Sequence, residues 1–184
     1  YDFLGASPDG IVVNRESERY GRMLEIKNRY GPTEVINGIQ KKQYWVQVQM
    51  QMECCNMDEC DFLECRFILY DSEQEFLMDG TFQQNKQGQP KGIIMCFCEG
   101  FYVNSKPIYE YSPFQCTEEE NGLWQERMME KYNNQNISWI NNEYWYLGEA
   151  SCVLVLRNSM WFESVIDEFK EIWNTIVQER VSGS

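Results

Sequence analysis

The sequence has 184 residues, 43% of them hydrophobic and 15% aromatic, which excludes a disordered chain and provides for a buried core. No apolar run reaches the roughly 18 residues that a membrane span needs. The net charge of −13 argues against a protein that coats nucleic acid along its length. The charge is uneven, because residues 1–50 contain seven Lys/Arg and six Asp/Glu, whereas the remainder contains nine Lys/Arg and twenty-three Asp/Glu. Any contact with nucleic acid would therefore come from a local patch that grips a few phosphates.

The ends of the chain and its cysteines bear on its context. There is no initiator Met and no signal peptide, and Tyr1 already lies in a patterned segment, so we expect the later part of a longer protein. Residues 181–184 resemble a linker scar.

The eight cysteines lack a secretory context, which predicts reduced thiols in an intracellular, reducing compartment. A structural zinc site stays open as an alternative, although the spacing lacks paired CxxC motifs; its ligands would be Cys54, Cys55, Cys60 and Cys65.

The first seventy residues predict two strands, a helix and a third strand. Gly10–Val13 and Met23–Lys27 are strand-like and joined by a polar loop, as in a hairpin, and a turn follows at Gly31 and Pro32. Apolar residues at helical spacing predict a helix from about Ile39 to Met57. The segment CDFLECRFILY, residues 60–70, alternates as a strand does.

The remainder continues with strands and two helices. Residues 71–91 are polar and predict an exposed loop or excursion, and IIMCFCEGFYV (93–103) predicts a strand. Residues 117–135 predict a helix with an acidic start, and SCVLVL (151–156) predicts a buried strand. An amphipathic pattern from Asn158 to about Arg180 predicts a long helix that packs on the sheet. This order predicts an α/β or α+β domain around a mixed sheet.

Three charged residues near the start point to a metal-dependent reaction. Glu25 and Lys27 lie two apart on a strand and share a face, and pairing of the two first strands brings Asp9 beside Glu25. Two carboxylates at close range repel each other unless a proton or a cation intervenes. Mg²⁺ needs few protein oxygens and completes its shell with water and phosphate, and Mn²⁺ can substitute. We therefore expect Asp9, Glu25 and the backbone carbonyl of Ile26 as metal ligands, with Lys27 next to the attacked phosphate.

The ordered motifs SPDG (7–10), EIK (25–27) and YWVQVQMQM (44–52) resemble the PD-(D/E)XK nuclease superfamily. The helix motif is similar to that of the lambda-exonuclease and YqaJ-type viral recombinase branch, and residues 52–67 (MECCNMDECDFLECRF) resemble versions from large DNA viruses. The resemblance implies a restriction-endonuclease-like core, and it makes Gln47 the helix glutamine that reaches the active site, with Tyr44 one turn earlier. The family's usual helices before the SPDG motif, with a further acidic residue, are not in this sequence.

The resemblance implies one nuclease domain over residues 1–180. It comprises a catalytic core at 1–70, the polar excursion at 71–91 and trailing elements at 92–180. The implied activity is Mg²⁺-dependent hydrolysis of DNA, as an exonuclease on duplex ends in viral recombination, replication or defence. A structure-selective or nonspecific endonuclease and an inactive DNA-binding scaffold are the alternatives. A homo-oligomer and a location in host cytoplasm, viral factory or virion are consistent with such a protein.

Further side chains are candidates for substrate contacts. Basic and polar residues near the motifs could bind DNA, namely Ser7, Tyr44, Arg29, Lys41 and Lys42, with Arg22 also flanking the site. Solvated charge is the alternative for the basic residues. An aromatic cluster could stack on bases or could form core or an oligomer surface; its members are Trp139, Tyr144, Trp145 and Tyr146.

Overall fold

A computed structural model describes residues 1–30, 36, 38–39, 41–100, 106–133 and 135–183. The strands are β1 (Gly10–Ile11), β2 (Met23–Tyr30), β3 (Glu59–Leu69), β4 (Lys91–Glu99), β5 (Pro107–Tyr111) and β6 (Ile137–Leu156). The helices are α1 (Lys42–Cys55), α2 (Glu73–Met78), α3 (Glu118–Tyr132) and α4 (Ser159–Ser182). Within the described ranges the strands form one sheet in the order β1-β2-β3-β6-β4-β5. The predicted fold class, an α+β domain consistent with a restriction-endonuclease-like core, is confirmed. The turn expected at residues 31–32 and the strand residues 101–103 lie outside the described residues.

The chain divides into two compact units. The first contains residues 1–28, 35–65 and 150–184, and the second contains residues 29–34 and 66–149. Strands β2, β3 and β6 contribute residues to both units. The single domain expected over residues 1–180 stays a prediction.

The first unit is built on α1 and its neighbouring strands. Val48 and Met52 are one turn apart on α1, and both are buried in a cluster with Met23 of β2 and Phe62 of β3. The helix ends where Asn56 adopts a left-handed conformation with φ 52°, which asparagine tolerates better than most residues. The predicted helix and the predicted hairpin are both present in this unit, and their packing fixes the segment that carries the candidate site.

Helix α4 is amphipathic, as predicted, but much of its apolar face is exposed. Its N-cap Asn158 accepts a hydrogen bond from the backbone N–H of Trp161, and the Trp161 ring contacts Trp45 of α1 at 4.9 Å between centroids. Phe162 is buried, whereas Ile172 is 57% exposed. The apolar face of this predicted helix is therefore buried at Phe162 but exposed at Ile172 in its second half.

The second unit contains two features that the pattern did not predict. Strand β5 is a short edge strand with alternating exposed residues, and it pairs antiparallel with β4. Strand β6 begins at Ile137 rather than near Ser151, and its polar residues Asn141 and Asn142 pair with β4 in antiparallel register. The predicted helix α3 is present, and its N-terminus carries a capping box between Thr117 and Glu120.

Most of the polar segment 71–91 is exposed, as expected, but the segment is more ordered than a loop. It contains α2, and Lys91 at its end is buried. The Lys91 ammonium donates hydrogen bonds to the carbonyl oxygens of Phe76, Asp79 and Thr81, the last two at 2.8 and 2.9 Å. Burial lowers the pKa of Lys91. Three carbonyls, one in α2 and two in the residues just after it, converge on this ammonium and close the segment around it.

All eight cysteines are free thiols, and they differ in burial. Burial raises the pKa of Cys60 to about 12. Among the described residues, no group of three or more Cys, Asp or Glu side chains is arranged to hold a metal ion. In the same residues, no helix is both long and apolar enough to span a membrane.

This difference in burial predicts an order of thiol reactivity. Only the thiolate is nucleophilic, so we expect exposed Cys152 to be alkylated early and buried Cys60 last when the folded protein is treated with iodoacetamide near neutral pH. Peptide mass spectrometry over a time course measures the order. Early labelling of Cys60, at the rate found in denaturant, would contradict the buried position of this strand residue.

Candidate active site

The β1–β2 hairpin brings Asp9 and Glu25 to neighbouring positions. Gly10 pairs with Leu24 and Ile11 with Met23 in antiparallel register, so one further step of the register places Asp9 opposite Glu25. The Asp9 carboxylate accepts a hydrogen bond from the backbone N–H of Ile26 at 2.7 Å. Asp9 is exposed, whereas Glu25 is buried with 2% of its surface accessible.

Buried Glu25 is held by donors from both sides of its carboxylate. Its Oε1 atom accepts from the Lys27 ammonium and from the Gln47 amide at 2.7 Å, and its Oε2 atom accepts from the Gln51 amide at 2.7 Å. An isolated buried carboxylate would be strongly unfavourable, and these contacts offset that cost. The arrangement therefore keeps a charged oxygen pair inside the protein at a defined position.

The carboxylate oxygens of Asp9 and Glu25 are the type of ligand that a hard divalent cation prefers. A carboxylate offers about four acceptor positions, and the three contacts that the described residues make leave Glu25 with one beyond them. Asp9 lies opposite and uses Oδ2 for Ile26, so Oδ1 is a further acceptor. Two carboxylates of this type, with solvent access through exposed Asp9, suit Mg²⁺, which retains several waters and adds phosphate oxygens. The assignment of Asp9, Glu25 and the Ile26 carbonyl as ligands stays a prediction.

Lys27 is oriented by both the carboxylate and an aromatic ring. Its ammonium contacts Glu25 and lies 5.2 Å from the centre of the Tyr44 ring. Such a cation–π contact supports the charge without a second carboxylate. The Tyr44 ring in turn packs 5.9 Å from Phe62, which belongs to the buried cluster of the first unit.

Gln51 is a site residue that the sequence interpretation missed. It follows Gln47 by four positions on α1, so both amides lie on one helix face. Besides Glu25, the Gln51 amide donates to the backbone carbonyl of Ser7 at 3.1 Å. The i, i+4 spacing of the two glutamines was the available signal. Gln49 has a different task, because it bonds to the Leu156 carbonyl and to the Asn158 N–H.

The candidate substrate contacts differ in exposure and in the element that holds them. Ser7 is exposed, and Lys41 and Lys42 are exposed at the start of α1, where the helix dipole also favours anions. The half-buried Tyr44 ring lies under Lys27. Arg29 lies in β2 but belongs to the second unit. A role for these residues in binding DNA stays a prediction.

Arg22 and three of the four residues of the aromatic cluster contact other side chains of the protein. Arg22 forms ion pairs with Glu59 at 2.8 Å and Asp61 at 3.1 Å, which commits its guanidinium to β3. In the second unit, the aromatic rings at positions 144–146 each contact another ring at 5.0 to 5.2 Å; the pairs are Tyr144 with Phe76, Trp145 with Phe67 and Tyr146 with Tyr70. These contacts favour core over base stacking for those three rings, whereas Trp139 is 47% exposed.

Comparison with known proteins bears on this arrangement. Residues 1–58 match the YqaJ-like viral recombinase domain. The predicted resemblance is confirmed over these residues. The YqaJ-like segment includes Asp9, Glu25, Lys27, Gln47 and Gln51, and it ends just beyond α1.

A viral relative extends the similarity beyond the YqaJ-like segment. The chain is 29% identical to uncharacterized protein R354 of Acanthamoeba polyphaga mimivirus, over 96% of this chain. The aligned region spans 37% of the mimivirus protein. This similarity includes both units and agrees with the predicted likeness to proteins of large DNA viruses.

Proposed function

We propose that this chain is a divalent-metal-dependent nuclease that hydrolyses phosphodiester bonds of DNA. The observation that carries the proposal is the buried Glu25 carboxylate, held by Lys27 and Gln47 and opposed by Asp9 across the hairpin. The match of residues 1–58 to a viral recombinase domain supports DNA as the substrate. A purely structural site would have little use for a charged, buried carboxylate beside a second, exposed one.

The residues of the chain divide the work of such a reaction. Asp9 and Glu25 would hold Mg²⁺ or Mn²⁺, which supplies Lewis acidity and lowers the pKa of water. Lys27 carries a positive charge beside this position and would offset the charge that develops on the phosphate oxygens. Gln47 donates to Glu25 and keeps its carboxylate oriented. Lys41 and Lys42, exposed at the start of α1, would grip neighbouring phosphates.

The proposal extends to substrate mode and setting. We propose action on duplex ends as an exonuclease in viral DNA recombination, because the branch that residues 1–58 resemble commonly works in that way. Because eight free thiols suit a reducing environment, we propose an intracellular location during infection. A homo-oligomer is part of the same proposal, and size-exclusion chromatography with light scattering measures it.

Removal of the cation is expected to stop the reaction. The purified protein should degrade linear duplex DNA with Mg²⁺ or Mn²⁺, and EDTA should reduce the rate to background because the two carboxylates then hold no Lewis acid. Release of acid-soluble nucleotides measures the rate, and restoring Mg²⁺ in excess should recover it. Undiminished hydrolysis in EDTA would contradict the proposed metal dependence.

The form of the DNA distinguishes the modes of action. Degradation of linear but not of covalently closed circular duplex supports an exonuclease on ends. Cleavage of both forms supports an endonuclease instead. Binding of DNA without cleavage of either form would support an inactive scaffold and would contradict the proposed nuclease.

A further inference from the structure

The Gln51 side chain joins two segments of the candidate site. Its amide nitrogen lies 2.7 Å from Oε2 of Glu25 and 3.1 Å from the backbone carbonyl oxygen of Ser7. Ser7 is two residues before Asp9 in the SPDG turn, and Glu25 is on β2. One buried side chain of α1 therefore touches both segments that carry the candidate acidic residues.

The orientation of the Gln51 amide is fixed by its two partners. Both the Ser7 carbonyl and the Glu25 carboxylate accept hydrogen bonds only, so the NH₂ group must face them. The opposite atom, Oε1, is then buried with no hydrogen-bond partner among the described residues. Leaving a buried acceptor unpaired costs free energy, and such atoms are uncommon in folded proteins.

The residues around Gln51 explain why its position is firm. It lies next to Met52 and three residues after Val48, both buried in the cluster that packs α1 against β2 and β3. Gln49, also buried, ties the same helix to the start of α4 and has both ends of its amide bonded. The helix could therefore be anchored without Gln51, and a residue with an orphaned oxygen is a poor choice for packing alone.

We infer that Gln51 is a positioning residue that holds Glu25 and the Ser7–Asp9 segment at a fixed separation before the cation binds. The inference rests on the proposed metal-dependent function. Gln47 donates to the other oxygen of Glu25, so the two glutamines together restrain rotation of the carboxylate. Partners of metal ligands of this type tune affinity and activity without touching the metal.

The test compares two buried glutamines of the same helix. Gln51→Met keeps the length of the side chain and removes the amide, and Gln49→Met does the same to a glutamine that does not touch Glu25. For both variants we would measure Mn²⁺ affinity without DNA by electron paramagnetic resonance, Tm by circular dichroism, and kcat and KM on linear duplex. A positioning role predicts, for Gln51→Met, roughly 10- to 100-fold losses in Mn²⁺ affinity or kcat with little change in KM for DNA.

The control variant separates positioning from stability. We expect Gln49→Met to lower Tm while its Mn²⁺ affinity and kcat, measured well below Tm, stay within about twofold of the parent. If both variants changed Mn²⁺ affinity only in step with Tm, or if Gln51→Met bound Mn²⁺ and cleaved DNA as the parent does, the inference would be overturned. Gln51→Asn serves as a second variant, because its shorter amide cannot reach both partners and should show the same selective loss.

The parent protein distinguishes failure of the inference from failure of the proposed function. A parent that binds Mn²⁺ and cleaves DNA, with Gln51 variants that behave identically, removes the positioning role alone. A parent that neither binds Mn²⁺ nor cleaves DNA removes the proposed function and the inference with it.

Discussion

Glu25→Gln is expected to abolish DNA hydrolysis while the protein stays folded. The substitution keeps the size of the side chain but replaces the carboxylate by an amide, so the rate should fall by at least on the order of 10³-fold. This loss exceeds the roughly 10–100-fold expected when a residue that only hydrogen-bonds to a metal ligand is removed. Affinity for Mn²⁺ should fall with it. The buried side chain also loses charge-assisted bonds, which should lower the free energy of unfolding by about 1–3 kcal/mol.

A second glutamate of the first unit provides the matched control. Glu53 lies on α1, is mostly buried and pairs with Arg157 at 2.7 Å, and it is not among the hydrogen-bond partners of Glu25 in the described residues. Glu53→Gln should destabilise the fold to a similar degree but leave Mn²⁺ affinity and cleavage near the parent values at a temperature where both variants are folded. Near-parent turnover of Glu25→Gln would show that Glu25 is not a metal ligand.

The placement of the candidate site could be predicted from the sequence because its parts are local. The turn residues of SPDG and the strand that contains Glu25 and Lys27 define a hairpin, and the register of a hairpin decides which side chains are opposite. Gln47 followed from the resemblance. Gln51 could not be singled out from the other glutamines of α1 in the same way. Its role depends on a hydrogen bond to the backbone carbonyl of Ser7, and every residue type has such a carbonyl, so residue types and spacing do not predict the contact.

The elements that the sequence failed to predict depend on tertiary contacts. Strand β5 is an edge strand of five residues, too short for its sequence pattern to predict a strand. It is extended because it pairs with β4. In β6, Asn141 and Asn142 weaken the apolar alternation, yet the partner strand satisfies their backbone groups. Lys91 would be expected in water, and its burial is offset by three backbone carbonyls and by the Phe76 ring, which lies 4.0 Å from the ammonium.

Lys27→Met is expected to separate catalysis from metal binding. Methionine retains most of the aliphatic part of lysine but has no charge to set against the phosphate, so the rate should fall roughly 100- to 1,000-fold. Removing a cation next to Glu25 should leave Mn²⁺ affinity unchanged or stronger, since a positive neighbour competes with the metal for the same carboxylate. Time-course assays of DNA hydrolysis and a Mn²⁺ titration on one preparation give the rate and the Mn²⁺ affinity.

The pair of variants thereby assigns different roles to neighbours on one strand face. Glu25→Gln should lose metal and activity together, whereas Lys27→Met should lose activity alone. Lys131→Met is the matched control for loss of an ammonium, because Lys131 pairs with Glu110 in the second unit and should leave cleavage unchanged. If Lys27→Met instead lost Mn²⁺ affinity and cleavage in parallel, Lys27 would serve to hold the Glu25 carboxylate in place, and the charge on the phosphate would have to be offset by another group.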